Sequence, residues 1–205
     1  NKVINTSTPT GLSTLGGSMR VWFKTTRSGN SNQHLINVTE SSSARFVCRL
    51  VNGRIDAGYY NGTAYTRTNS PNGYIKPNTP YLLHCTWDTT SIKLYINGIL
   101  QASNISDPAV SSGIGVYVGT RSDGVDPFQG VKDEPTIWIG KVLTQSEITA
   151  DYFSSVFPSG TPYLKWLFNE TAGPVALDSS GNGNNGTITG ATYTLDVPLR
   201  LRTAI

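Results

Sequence analysis

The chain has 205 residues, a formal net charge of +3, and only 14% charged against 37% hydrophobic residues. Its 21 glycines and 11 prolines favour short strands and turns and exclude a coiled coil or helical bundle. No apolar run reaches the ~20 residues of a membrane span, and the basic residues are scattered, so neither membrane insertion nor a nucleic-acid partner is expected.

In chain order, residues 1–14 read as an N-terminal arm. Asn1 is too bulky to follow ordinary removal of an initiator Met, which implies that something preceded it. Met19, Val21 and Phe23 then alternate with Arg20, Trp22 and Lys24, the period-2 pattern of a half-buried strand. Further strands are expected over His34–Thr39, Ala44–Leu50 and Arg54–Tyr60, with Asn52-Gly53 as a tight hairpin turn. Asn61-Gly62 gives a second hairpin signal, and Thr63–Thr68 returns from it. After a proline-bounded loop, Tyr81–Asp88 pairs with Ser91–Asn97, and Asn97-Gly98 leads into Ile99–Ala102. Gly115–Gly119 and Thr136–Gly140 follow. Thr144-Gln145-Ser146-Glu147 is a capping box and opens one short helix near 145–155 that stops before Pro158. Tyr163–Asn169 reads as a closing strand, and residues 178–186 as a long polar loop. Residues 196–205 read as a C-terminal arm or edge strand, because Leu195, Val197, Leu199 and Leu201 alternate with polar residues. Many strands and one helix give an all-β sandwich.

Cys48 and Cys85 share a parity with Phe46 and Leu50 and with Leu83 and Trp87. Two buried free thiols and a single disulfide both fit; a zinc site with distant His34 does not.

Three blocks resemble the laminin-G-like and pentraxin-like group. Cys85-Thr86-Trp87-Asp88 followed by Ser91–Gly98 resembles its "W/Y-D … V-K-L-Y-V-N-G" hairpin. Phe128–Glu134, Ile137-Trp138, Leu143-Thr144 and Glu147-Ile148 resemble "F-x-G-x-I-D-E-x-x-I-W … L-T/S-x-x-E-I". Trp166–Glu170 with Leu177–Thr187 is similar to "W-x-F-D-E … D-S-S-G-N-G-N-x-G-T". The resemblance spans about residues 15–195 and implies a concanavalin A-like jelly-roll sandwich of two antiparallel sheets. In many such domains the last block comes first. Here it is expected to supply a closing strand to the same sandwich, since the fold brings its ends together; a truncated second domain is the alternative.

That fold also hosts glycoside hydrolases, but no Glu-x-Asp-x-x-Glu strand occurs. Glu40, Glu134, Glu147 and Glu170 are dispersed, and Asp133 and Glu134 would face opposite ways on a strand. No catalytic residues are assigned. His84 aligns with a structural histidine of the family. The oxygens of Asp178, Asn182 and Asn184 in a Gly-rich loop are the candidate calcium ligands, with turn geometry as the competing explanation. The loop Arg121, Asp123, Asp126 lies where pentraxin calcium ligands would fall but lacks their acidic cluster. Tyr59, Tyr60, Asn61, Tyr65 and Arg67, beside Asn69 and Asn72, could stack on and hydrogen-bond a sugar, together with Arg121, Asp123 and Asp126. Asn-x-Ser/Thr sequons stand at Asn5, Asn37, Asn61, Asn104, Asn169 and Asn185. The expectation is a non-catalytic, lectin-like module that binds a glycan or surface partner, with calcium assistance. The alternative is a structural component of an external assembly, such as a virion decoration or surface-layer protein with homo-oligomeric neighbours. Either places it outside the cell or on a cell or virion surface.

Overall fold

The computed structural model describes residues 2–6, 15–27, 32–39, 44–61, 63–105 and 115–196. Two antiparallel sheets pack face to face. The eight-stranded sheet contains β1 (Lys2–Asn5), β3 (Asn32–Thr39), β4 (Ala44–Val51), β5 (Arg54–Asn61), β6 (Tyr65–Asn69), β10 (Gly115–Val118), β13 (Val175–Ala176) and β14 (Gly186–Thr189). Its spatial order is β13-β14-β1-β10-β3-β4-β5-β6. The six-stranded sheet contains β2 (Gly17–Thr25), β7 (Tyr81–Trp87), β8 (Ser91–Ile96), β9 (Ile99–Ile105), β11 (Gly130–Ile139) and β12 (Leu164–Lys165), ordered β12-β11-β2-β7-β8-β9. This is the jelly-roll sandwich that the sequence motifs imply.

Side-chain parity builds the core. Phe46, Cys48 and Leu50 of β4 and Ile55, Ala57 and Tyr59 of β5 meet Met19, Val21 and Phe23 of β2 and Leu83, Cys85 and Trp87 of β7. Two of the expected hairpins close at their Asn-Gly pairs; at the third the return strand begins at Tyr65 instead of Thr63, and Gly62 lies outside the described residues. Asn52 and Gly53 hold φ of 53° and 71°, and Asn97 and Gly98 hold 54° and 79°, the left-handed pair that a two-residue turn requires. Both cysteines are free and buried. They hydrogen-bond across the sandwich, and burial followed by that bond pushes the Cys85 thiol up.

Several elements differ from the expectation. Lys2–Asn5, read as part of an arm, is β1, inserted between β10 and β14. The strand expected at Thr136–Gly140 begins at Gly130, and its bulge between Asp133 and Thr136 resets the register. The strand expected over Tyr163–Asn169 shortens to Leu164–Lys165 on the edge beside β11. Short β13 and β14 follow it, so the late block adds strands to both sheets. Leu195 is exposed, and the remaining alternation at 197–205 lies outside the described residues.

The helix α1 (Gln145–Phe153) starts at the predicted capping box: Thr144 Oγ1 accepts from Glu147 N, and Glu147 Oε2 accepts from Thr144 N. It lies on the outer face of the six-stranded sheet. Ile148 packs there against Tyr95, Trp138 and Leu143. Beneath it, Arg20 Nε donates to Asp151 Oδ2 at 2.6 Å and His84 Nε2 lies 2.9 Å from the same oxygen. Arg20 also pairs with Glu134 at 2.9 Å. Asp133 and Glu134 therefore do not part as an extended strand would part them: Glu134 has a φ of 48° at the bulge, and both carboxyls interact with Arg20.

Candidate functional site

The outer face of the eight-stranded sheet carries most of the residues singled out from sequence. Because Phe46, Cys48 and Leu50 point inward, Arg45, Val47 and Arg49 point outward. The ladder sets Arg45 opposite Tyr60, Arg49 opposite Asp56 and Val51 opposite Arg54. Tyr60 in turn faces Tyr65 on β6, and Asp56 faces Asn69. On the other side, β3 places His34 beside Arg49, Asn37 beside Val47 and Thr39 beside Arg45.

These side chains interlock. The rings of Tyr60 and Tyr65 lie 4.5 Å apart. Arg45 sits 4.7 Å from the Tyr60 ring and Arg49 4.7 Å from the Tyr65 ring. The Tyr65 hydroxyl accepts from Arg45 at 3.0 Å. Asp56, nearly fully buried, accepts from Arg54 at 2.7 Å and from Arg49 and Arg67 at 3.4 Å each. One carboxylate thus serves three guanidiniums, which leaves the face electropositive.

The loop after β10 joins this face. Asp126 lies 3.9 Å from His34 Nε2, and its backbone oxygen accepts from His34 N. Arg121 pairs with Asp123 and lies within electrostatic reach of Tyr65 and Asp126. That pairing holds the Asp123 carboxyl well below the usual carboxylate range. Burial lowers His34 to about 4, with Arg45 and Arg49 adding to the effect against its hydrogen bond to Asn37. His34 is therefore neutral at physiological pH.

Tyr60, Tyr65, Arg67, Arg121, Asp123 and Asp126 are brought together by this arrangement. Tyr59 is not with them: it points inward and packs in the core. Asn61 ends β5 at the same hairpin. His34, Arg45, Arg49 and Asp56 also belong to the face but were not among the sequence candidates. Their signal was the inward parity of Phe46 and Cys48, which fixes Arg45 and Arg49 as outward; "scattered" basic residues on three strands and a loop become one cluster.

Buried polar atoms without a hydrogen-bond partner concentrate here. Among the described residues they include His34 Nε2, Thr39 Oγ1, Arg49 Nε and Asn69 Oδ1. Buried polar groups are normally satisfied by protein or ordered water, so this face holds several atoms with hydrogen-bonding capacity to spare.

The Asp178 loop has a different construction. Asp178 Oδ1 accepts from Lys165 N at 3.0 Å and Ser180 N at 2.9 Å; Oδ2 accepts from Ser180 Oγ at 2.7 Å and Asn184 N at 2.8 Å. Asn182 and Asn184 donate their side-chain amides to the Tyr163 carbonyl at 3.2 and 2.7 Å. Trp166 Nε1 donates to Asn184 O at 2.9 Å. The candidate calcium ligands are thus brought together as a clip that ties the loop to β12, with backbone N–H groups and the Ser180 hydroxyl facing the Asp178 carboxylate. Among the described residues, no three His, Cys, Asp or Glu side chains gather as metal ligands. Asp178→Ala is expected to cost about 1–2 kcal/mol, the scale for leaving several half-buried donors unpaired, read as a lower urea midpoint.

Residues 1–149 match the laminin-G-type family described as the concanavalin A-like lectin/glucanases superfamily. The chain belongs to that superfamily. Among curated proteins, none matches the sequence significantly. Solved structures share the fold. One is a Bacteroides ovatus protein assigned to carbohydrate binding, with a TM-score of 0.70 at 18% identity, covering 96% of this chain and 58% of that one. A heptameric SAP-like pentraxin from Limulus polyphemus gives 0.58 at 13%, covering 74% and 75%. The CBM40 of the Ruminococcus gnavus IT-sialidase, bound to alpha2,3 sialyllactose, gives 0.55 at 21%, covering 68% and 84%. This chain thus spans a little over half the length of the B. ovatus protein. No helix among the described residues is long and apolar enough to cross a membrane.

Proposed function

We propose that the protein is a non-catalytic glycan-binding module, and that the outer face of the eight-stranded sheet is its binding surface. The observation that carries this reading is the concentration of unpartnered buried polar atoms among the stacked Tyr60, Tyr65 and arginines. Tyrosine rings suit the apolar faces of sugars, and amide, hydroxyl and guanidinium groups suit their hydroxyls. The guanidinium excess around Asp56 favours a sugar that carries a carboxylate. Superfamily membership and the carbohydrate-binding relatives support the same reading. An extracellular or surface location goes with it.

Among the described residues, Glu134 and Glu147 have structural partners. Glu134 is committed to Arg20, Glu147 to the helix cap and Lys141 at 2.6 Å. The test is an array of neutral and acidic glycans, followed by calorimetry on the hits. Tyr65→Ala is expected to weaken binding about tenfold, as loss of a ring and its cation–π partners implies. No binding to any glycan, or an unaffected Tyr65→Ala, overturns the reading. The same titrations in CaCl2 and in chelator test calcium assistance, for which tighter binding in CaCl2 is the supporting result.

A second reading, a structural subunit of an external assembly, is favoured by one observation. Leu100, Phe153 and Val156 are exposed apolar side chains that a neighbouring subunit could cover. Light scattering after size exclusion distinguishes the two: a monomer at all concentrations argues against assembly.

A further inference from the structure

Strand β12 pairs only with Thr136 and Ile137. The first half of β11 therefore has β2 on one side and, among the described residues, no ladder on the other. Phe168 and the segment Ala191–Thr194 close that gap, and a cavity of about 200 Å³ remains between the two sheets. Val3 of β1 and Ile188 of β14, paired in register, form its apolar wall with Phe168.

The lining includes an amine and a carboxyl, Lys132 and Asp133, and the first has no carboxylate partner among the described residues. Lys132 pairs in register with Phe23, a core residue, so its side chain shares the inward parity. Its ammonium lies 4.6 Å from the centroid of the Phe128 ring. Among the described residues no carboxylate forms an ion pair with it. The adjacent acid, Asp133, also lines the cavity, but it lies across from Trp22 and interacts with Glu134 and Arg20. Burial lowers Lys132 to about 8, so it is still largely a cation at neutral pH. Lys132 is half-buried, and a partly desolvated cation that has an aromatic ring but no carboxylate beside it gains from an anionic partner.

We propose that this inter-sheet cavity is a second binding site, one that takes a small carboxylate with an apolar tail. The carboxylate meets the Lys132 ammonium, and the tail fills the space between Val3, Phe168 and Ile188. Other pocket features agree. Tyr193 closes the rim with its hydroxyl donated to Val175 O at 3.1 Å, which leaves its ring to cover the tail. An apolar wall faced by a few polar groups, here Lys132, Asp133 and Thr194, is the usual composition of a small-molecule site.

Hexanoate is the probe, with hexan-1-ol as the uncharged control, titrated against the full chain by two-dimensional NMR. The expected result is saturable shifts of the amides of Gly130–Asp133 and Ala191–Thr194, with hexanoate binding about tenfold tighter than hexan-1-ol, the scale of one charge-assisted hydrogen bond. Lys132→Met, which places an apolar chain in an apolar cavity, should erase that preference and leave hexan-1-ol binding in place. Ile188→Trp, which fills the cavity, should abolish both. Equal binding of acid and alcohol, an unchanged preference in Lys132→Met, or shifts confined to the arginine face of the eight-stranded sheet would each overturn the proposal. The glycan reading stands or falls separately, since it concerns the opposite side of that sheet.

Discussion

Asp151→Ala is expected to lower stability by about 3–5 kcal/mol, the scale for breaking a buried ion pair from one side. Arg20, His84 and Asp151 are all fully buried. Removing the carboxylate strips Arg20 of its bidentate partner, leaving only Glu134 and the Glu134 carbonyl at 3.2 Å. It also removes the oxygen that His84 Nε2 meets. Because Asp151 lies on α1 and the other two on β2 and β7, the same change loosens the helix from the sheet. Urea unfolding reads the stability, and amide exchange in α1 reads the local effect. The double variant Arg20→Met with Asp151→Leu should cost clearly less than Asp151→Ala, because both charges leave together and the volume is kept. A loss below about 1 kcal/mol for Asp151→Ala would mean that the cluster is not what holds the helix.

That cluster shows where reading a sequence stops. The capping box was local, so α1 could be placed from four consecutive residues. The partners of Asp151 come from β2 and β7, and nothing in the helix sequence points to Arg20. His84 could be marked as structural only through the family motif. The strands of the outer-face site were equally visible, and so was their parity. What joined Arg45, Arg49, Arg54 and Arg67 was strand order, which period-2 alternation does not supply. The loop at Arg121–Asp126 could be placed near the hairpin only by analogy; the backbone bond from His34 to Asp126 is what brings it there. β1 was missed because four residues beside a polar segment give too short a pattern, and its pairing with β14 becomes apparent only once the chain ends meet. The Asp178 loop could be read either as a turn or as an ion cage, because the same oxygens serve both. Which donors face them depends on Tyr163, Lys165 and Trp166, more than ten residues away.

The dependence of stability on pH should be flatter in mild acid than either of two perturbed groups would make it alone. Burial lowers His34 to about 4 in the folded chain. Between its unfolded value near 6.5 and that point the unfolded state binds the extra proton, so stability falls on acidification, by up to about 3 kcal/mol. Asp133 works the other way. Burial, followed by repulsion from Glu134, raises it to about 6. From there down to the ordinary carboxylate range the folded state holds the extra proton, so stability rises on acidification by a similar amount. The two contributions oppose each other over roughly pH 4–6. Asp133→Asn removes the opposing one, and its stability relative to the parent protein should therefore drop by up to about 3 kcal/mol between pH 6.5 and 4. His34→Gln should show the mirror image, a relative gain over the same interval. Differences from the parent, taken from urea midpoints at each pH, cancel the groups common to both proteins. The steep acid limb belongs below pH 4. Burial pushes Asp151 up, but the bonds from His84 and Arg20 outweigh it and hold the carboxyl at about 2. Its stabilisation, about 2 kcal/mol, is present above the unfolded value and lost as pH falls through the folded one. Parallel profiles for parent, Asp133→Asn and His34→Gln would show that neither group is held as the fold implies.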